Sequence, residues 1–205
     1  MTERIKMPTK EAIMKAAAKL FSGKGYNKVT TREIAKACGI NSASIYHYFP
    51  SKSHLLTNLY AFYHEEYIKV RPDVEELLRL TETLPPHEVL YRTLFYYEGD
   101  VRETMDQILI TAAREICSNS ENEDFIRTHL INTYEAVLKP VLIKMVELRK
   151  IKPMDIDSYL RVLTYYGYSA AALNGSPFCQ NVEEYLAGMR CLFQLVVPES
   201  PSESQ

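Results

Sequence analysis

Apolar residues recur along the chain at three- and four-residue intervals, the spacing of one face of a helix, so the pattern predicts an all-α fold. The first helix is expected from about Thr9 to Ser22. It carries Ile13, Ala16, Ala17, Leu20 and Phe21 inward and Lys10, Lys15 and Lys19 outward. Thr30 followed three residues later by Glu33 is a capping-box start, and a short helix is expected from Thr31 to Ala37 with Ile34 and Ala37 inward and the small Ala35 at a close crossing. Gly39 supplies the left-handed conformation that ends it, within a turn of Cys38, Gly39 and Ile40. Asn41 can cap the next helix, whose Ile45, Tyr48 and Phe49 share one side. Ser42, Ala43, Ser44, Tyr46 and His47 are then left mostly outward. Ser51 can cap a fourth helix carrying Leu55, Leu56, Leu59, Phe62 and Tyr63 until Arg71-Pro72 stops it.

Beyond Pro72 the helical period continues without a strand pattern. Leu77, Leu78 and Leu80 predict a short helical turn, Val89 to Tyr97 another helix, and Val101 to Cys117 a longer one with Met105, Ile108, Leu109 and Ala112 on its stripe. Polar Ser118 to Glu123 reads as a loop. Asp124 to Lys150 keeps helical spacing, and Pro140 must kink or split it. Two helices follow, about Asp155 to Leu173 and Val182 to Val197, before a polar tail over 198–205 that is expected to be disordered. The last helix is apolar on nearly every face, and the one before it has Gly167 and the small run Ser169 to Ala172. Together they predict half of an intersubunit four-helix bundle, with Leu163, Gly167, Ala171, Met189, Leu192, Phe193 and Val196 at a dimer interface. A deeply buried core within one chain is the alternative.

Two short helices joined by a glycine turn, the second with a face of small and hydrogen-bonding residues, form a helix-turn-helix suited to the major groove. Phe21 and Gly25 stand ahead of it, then Thr30 or Thr31, Ile34, Ala35 and Gly39, then Tyr46, Tyr48, Phe49 and Lys52. This run resembles the DNA-binding domain of the TetR family of bacterial one-component regulators, whose pattern is Phe-x3-Gly, Thr-x3-Ile-Ala-x3-Gly and Tyr-x-Tyr-Phe-x2-Lys. The resemblance covers roughly the first 60 residues. It implies a DNA-binding domain over 1–52, a helical ligand-binding and dimerisation domain over 53–197, a homodimer, and an operator of double-stranded DNA. The resemblance places Thr31, Arg32, Ser42, Ala43, Ser44, Tyr46, His47, Tyr48 and Lys52 at DNA-contacting positions. Tyr48 also fits packing by its inward spacing. One departure is His54, at the third position of the fourth helix, where the family often has an acid.

Charge sharpens this division. Residues 1–60 carry ten Lys or Arg against three acids, a net of +7, while the remainder carries 14 bases against 23 acids, a net of −9. Such asymmetry is the footprint of a nucleic-acid module joined to something else. Four scattered cysteines, Cys38, Cys117, Cys179 and Cys191, form no C-x-x-C pair, so buried free thiols are expected and neither a metal site nor a cofactor. No apolar run approaches a membrane span and residues 1–6 lack a signal-peptide core, so a cytoplasmic chain with no membrane partner is expected.

Fifteen tyrosines and seven phenylalanines, without tryptophan, leave aromatics in the middle helices, where members of the family hold an apolar ligand cavity. Tyr91, Phe95, Tyr96, Met105, Tyr134, Tyr165 and Tyr166 are the candidate lining, and an apolar or aromatic inducer is the expected ligand. An enzyme finds no support: G-x-S-x-G, H-E-x-x-H, the P-loop and G-x-G-x-x-G are all missing, and adjacent His64, Glu65 and Glu66 diverge around a helix. The reading is a repressor released from its operator by a small molecule, with a ligand-independent DNA binder of solid core as the closer rival.

Overall fold

The computed structural model describes residues 9–94, 100–117, 120–173 and 182–197, which are helical with short connections and contain no strand. The chain divides into two compact units, residues 1–69 with 99–125, and residues 70–98 with 126–205.

The first unit opens with α1 (Lys10–Lys24), capped by Thr9, whose side chain accepts from the Ala12 amide. A single 3-10 turn, Tyr26–Lys28, leads to α2 (Thr31–Ala37), α3 (Ser42–Tyr48) and α4 (Lys52–Val70). It also holds α7 (Asp100–Arg114), which packs against α1, and α8 (Ser120–Ile126). The core comprises Ile13, Ala17 and Phe21 of α1, Ile34, Ile45 and Phe49 of the helix-turn-helix, Leu55 and Leu59 of α4, and Met105, Ile108 and Ala112 of α7, each at most 2% exposed. The expected loop at Ser118 to Glu123 is helical from Ser120. Acidic Glu121 and Glu123 favour a helix amino terminus, and Asn122 is buried by the partners described below. Residues 118 and 119 lie outside the described residues.

The second unit contains α5 (Val74–Thr83), capped by Asp73, α6 (Pro86–Leu94), α9 (Lys139–Glu147), α10 (Ile156–Leu173) and α11 (Val182–Val196). Proline at the first position of α6 costs no hydrogen bond, since the first-turn amides have no partner within the helix. α5 and α10 both pack on α9, and α11 packs on α6 and α10. The expected split at Pro140 takes a particular form. Arg127–Ile131 and Tyr134–Leu138 are π-helical turns, and Pro140 falls in the first turn of α9. A proline in an α-helix clashes with the carbonyl four residues back, so the wider turn ahead of it accommodates the ring while the helix continues. Gly188 admits α10 closely: a Cβ there would collide with the Tyr166 hydroxyl.

The expected burial of the cysteines is corrected. Cys117 and Cys191 are exposed and Cys38 is half-buried, because the first follows α7 in a turn and the second lies on the outer side of α11. Cys179 and the tail over 198–205 lie outside the described residues.

α9 ends with Arg149 at φ 56° and the Lys150 amide bonded to the Met145 carbonyl at 2.9 Å, a left-handed cap made without glycine. Arg149→Gly should therefore stabilise the protein by about 1 kcal/mol, read as a raised midpoint in urea unfolding. An unchanged or lowered midpoint would show that Arg149 is not strained there.

Candidate nucleic-acid interface

The helix-turn-helix is fixed by local hydrogen bonds that its own sequence supplies. At the start of α2 the Thr30 hydroxyl accepts from the Glu33 amide at 3.3 Å, and the Glu33 carboxylate accepts from the Thr30 amide at 2.9 Å, a complete capping box. The other Glu33 oxygen takes the Lys24 ammonium at 2.8 Å, which ties the end of α1 to α2. The Lys24 hydrogen bond, then those of Thr30, hold the Glu33 carboxyl down at about 2 from an ordinary 4.5, so it is ionised throughout the neutral range. Gly39 at φ 68° ends α2, and the Ile40 amide closes on the Ala35 carbonyl at 3.0 Å. Asn41 then caps α3 by accepting from the Ser44 amide at 2.9 Å and the Ser44 hydroxyl at 3.0 Å. Ile45 and Phe49 anchor α3 in the core, fully buried as expected.

Seven-residue helices bring the candidate contact residues together as follows. Arg32, Ala43, Tyr46 and His47 are exposed, while Thr31, Ser42, Ser44, Tyr48 and Lys52 are half-buried. The Tyr46 hydroxyl meets the Thr31 hydroxyl at 3.2 Å, joining the recognition helix to the start of α2. The Tyr48 ring packs edge-on against His47, with centroids 5.3 Å apart. Ser44 has its hydroxyl engaged in the Asn41 cap. Lys52 is turned inward, its ammonium 3.0 Å from the carbonyls of both Tyr26 and Val29.

Behind this surface lies a polar network that sequence reasoning missed. The Tyr60 hydroxyl on α4 donates to the Asn122 side-chain oxygen at 2.5 Å, and the Asn122 amide group donates to the Glu115 carbonyl at 2.6 Å. Asn27 donates to the Glu115 carboxylate at 2.8 Å, Thr57 donates to Glu121 at 2.8 Å, and Arg114 donates to the Ser22 carbonyl. Phe125 stacks on Tyr60, with centroids 4.2 Å apart, and meets Tyr63 edge-on at 5.0 Å. Burial pushes the Tyr60 phenol upward, reinforced by Glu121, so it remains a donor. Asn122 sits in a polar stretch of sequence, and no periodicity marks an asparagine as buried.

The candidate ligand residues with described side chains are Tyr91, Met105, Tyr165 and Tyr166. Tyr91 and Tyr165 are exposed on α6 and α10, Met105 is fully buried in the core of the first unit, and Tyr166 lies over Gly188. Phe95, Tyr96 and the side chain of Tyr134 lie outside the described residues. In the second unit an open groove of about 370 Å³ runs between α5 and α9, with Leu78, Pro140 and Ile143 among Glu135, Lys139, Lys144 and Glu147. Among the candidate dimer residues, Leu163, Gly167, Met189, Phe193 and Val196 are buried within the single chain, and Ala171 and Leu192 are half-buried. α10 and α11 pack on each other, with the Tyr159 hydroxyl donating to the Leu192 carbonyl at 2.8 Å. Among the described side chains of these two helices, the large apolar ones left open are Val162, Tyr165 and Leu173 on α10 and Leu195 on α11.

A helix-turn-helix with an open, hydrogen-bonding recognition face, carried by an all-helical chain, defines the class of the protein. Residues 13–59 match the family model described as bacterial regulatory proteins, tetR family. The chain is 28% identical over 171 residues to an uncharacterized HTH-type transcriptional regulator, YerO, of Bacillus subtilis (strain 168), covering 77% of this chain and 57% of that one. It spans no more than 58% of the first three curated relatives it matches. In fold it is similar to the TetR family transcriptional regulator PfmR of Thermus thermophilus, at a TM-score of 0.61 and 23% identity over 89% of this chain and 97% of that one. It is likewise similar to a gamma-butyrolactone receptor (ArpA like protein), at a TM-score of 0.58 and 20% identity over 92% and 88%. Over residues 13–59 the chain therefore carries the region that this family model describes.

Removing the Asn122 side chain would leave the buried Tyr60 hydroxyl without its acceptor, so Asn122→Ala should cost about 1–3 kcal/mol in urea unfolding. Combined with Tyr60→Phe it should cost less than the two single changes together, because they remove one shared bond. Strict additivity would mean that the two side chains do not act as a pair.

Proposed function

We propose that the protein is a transcriptional repressor that binds a pseudo-palindromic operator as a two-fold dimer and is released by a small apolar molecule. The observation that carries the reading is the recognition face of α3: Ala43, Tyr46 and His47 are open to solvent on a helix whose amino-terminal section of chain has a net charge of +7. Short side chains at 42–44 make few base-edge contacts, so phosphate contacts carry much of the affinity and binding weakens steeply with salt. Thr31, Arg32, Tyr46 and His47 supply those contacts in this reading. The first helix, α1, adds exposed Lys10, Lys15 and Lys19.

A dimer follows from the same logic, since two rigid recognition helices demand half-sites about one helical turn or a multiple apart. Val162, Tyr165 and Leu173 fall on one side of α10 and are exposed, as is Leu195 on α11, and in this reading a second copy covers them. Ligand release is favoured by the company the fold keeps, which includes a protein described as a gamma-butyrolactone receptor. Such a ligand can act only through a difference in its affinity for the DNA-competent and DNA-incompetent arrangements. The Tyr60–Asn122 network offers the route, because it fastens α4 to the α7–α8 corner within the unit that carries the reader.

Val162→Glu with Leu195→Glu should yield a folded monomer by sedimentation that no longer holds a two-half-site duplex selected by the wild-type protein from a random pool. Dimers that survive both charges would place the interface elsewhere. A compound that releases this duplex should also raise the melting temperature of the free protein in proportion to the logarithm of its concentration, as native-state binding requires. Release without any thermal shift would exclude direct binding of that compound as the cause.

A further inference from the structure

Lys52 stands at the first position of α4, where a cation opposes the helix dipole. Its ammonium points away from the helix axis and into the protein. It donates to the Tyr26 carbonyl and the Val29 carbonyl, both at 3.0 Å, and lies 4.3 Å from the centroid of the Tyr26 ring. An ammonium has three N–H donors, so two are engaged by carbonyls while the ring face covers another side. These acceptors are specific in position. Tyr26 opens the turn that follows α1, and its ring packs edge-on against Phe21 with centroids 5.1 Å apart. Val29 is 1% exposed and immediately precedes Thr30, the cap of α2. One cation therefore ties together the end of α1, the start of α2 and the start of α4.

We infer that Lys52 is a positioning residue for the DNA reader: from inside the protein it sets where the amino terminus of α2 stands against the recognition helix, in place of binding a phosphate itself. This rests on the DNA-binding reading above and departs from the phosphate contact that the family resemblance implies for this lysine. The consequence reaches the contact surface through Thr31, whose hydroxyl bonds Tyr46 on α3 at 3.2 Å. If the turn carrying Val29 shifts, Thr30 and Thr31 shift with it, and the pairing that orients Tyr46 is lost. Contacts made by other side chains become less well placed, but no phosphate-bound cation is removed.

The test separates these roles by salt dependence. A lysine bound to a phosphate contributes about one to the slope of log affinity against log salt, whereas a positioning lysine does not. Lys52→Met keeps the apolar stem over Tyr26 and removes the donors. On the duplex that the wild-type protein selects from a random pool, it should bind about tenfold more weakly, the scale of one charge-assisted hydrogen bond, with an unchanged salt slope. Exposed Arg32→Ala serves as the contrast and should lower the slope by about one. Tyr26→Leu removes the ring face and no cation, and it should reproduce the Lys52→Met behaviour. Without DNA, hydrogen exchange in Lys52→Met should quicken over residues 26–34 and remain as in the wild type over α10. A slope that falls by about one in Lys52→Met, or unaltered exchange over 26–34, overturns this inference while leaving DNA binding standing. A wild-type protein that enriches no duplex removes the DNA-binding reading, and this role with it.

Discussion

The helix-turn-helix cannot hold its own shape. α2 and α3 have seven residues each, far below the length at which an isolated helix persists in water, so their relative placement depends on what packs behind them. That support is the closure of α7 against α1. Ile13, Ala17 and Phe21 face a core completed by Met105, Ile108 and Ala112, residues that come roughly ninety positions later in the chain. Non-local apolar burial of this kind fixes distance but not register, because apolar contacts have little directionality. Register comes from the polar ties at the edge of the core. Asn27 on Glu115, Thr57 on Glu121, and Tyr60 on Asn122 each accept only one alignment.

The helix-turn-helix was legible in the sequence because its determinants are local. Thr30 with Glu33, Gly39, and Asn41 with Ser44 each satisfy backbone groups within a few residues, and a reader of the sequence can see both partners at once. The same holds for the inward Ile45 and Phe49. Lys52 was not legible, since its partners are backbone carbonyls more than twenty residues back, and a carbonyl has no letter in the sequence. Asn122 was hidden for a related reason: a polar stretch reads as exposed unless its bonds to the distant Tyr60 hydroxyl and to the Glu115 backbone carbonyl are known.

The apolar face of α10 and α11 shows a different limit. Periodicity identified Leu163, Met189, Phe193 and Val196 as wanting cover, and they have it within one chain. Hydropathy measures the demand for burial and cannot say which surface meets it. Val162, Tyr165, Leu173 and Leu195 stay exposed and are less regularly spaced in sequence. Tyr91 and Tyr165 are 49% and 68% exposed, which a tyrosine tolerates better than a phenylalanine because it carries a polar hydroxyl.

The central claim is that α7 and α8 belong to the same mechanical body as the helix-turn-helix, so that motion at their corner is motion of its recognition face. Native-state hydrogen exchange of the full chain across a denaturant series measures this directly, because segments that open together share one opening free energy and one denaturant slope. The account requires α1, α4 and α7 to open in a single step, with α9 and α10 free to open in another. If α7 instead exchanged with α9 and α10 while α1 and α4 opened separately, the claim would be contradicted.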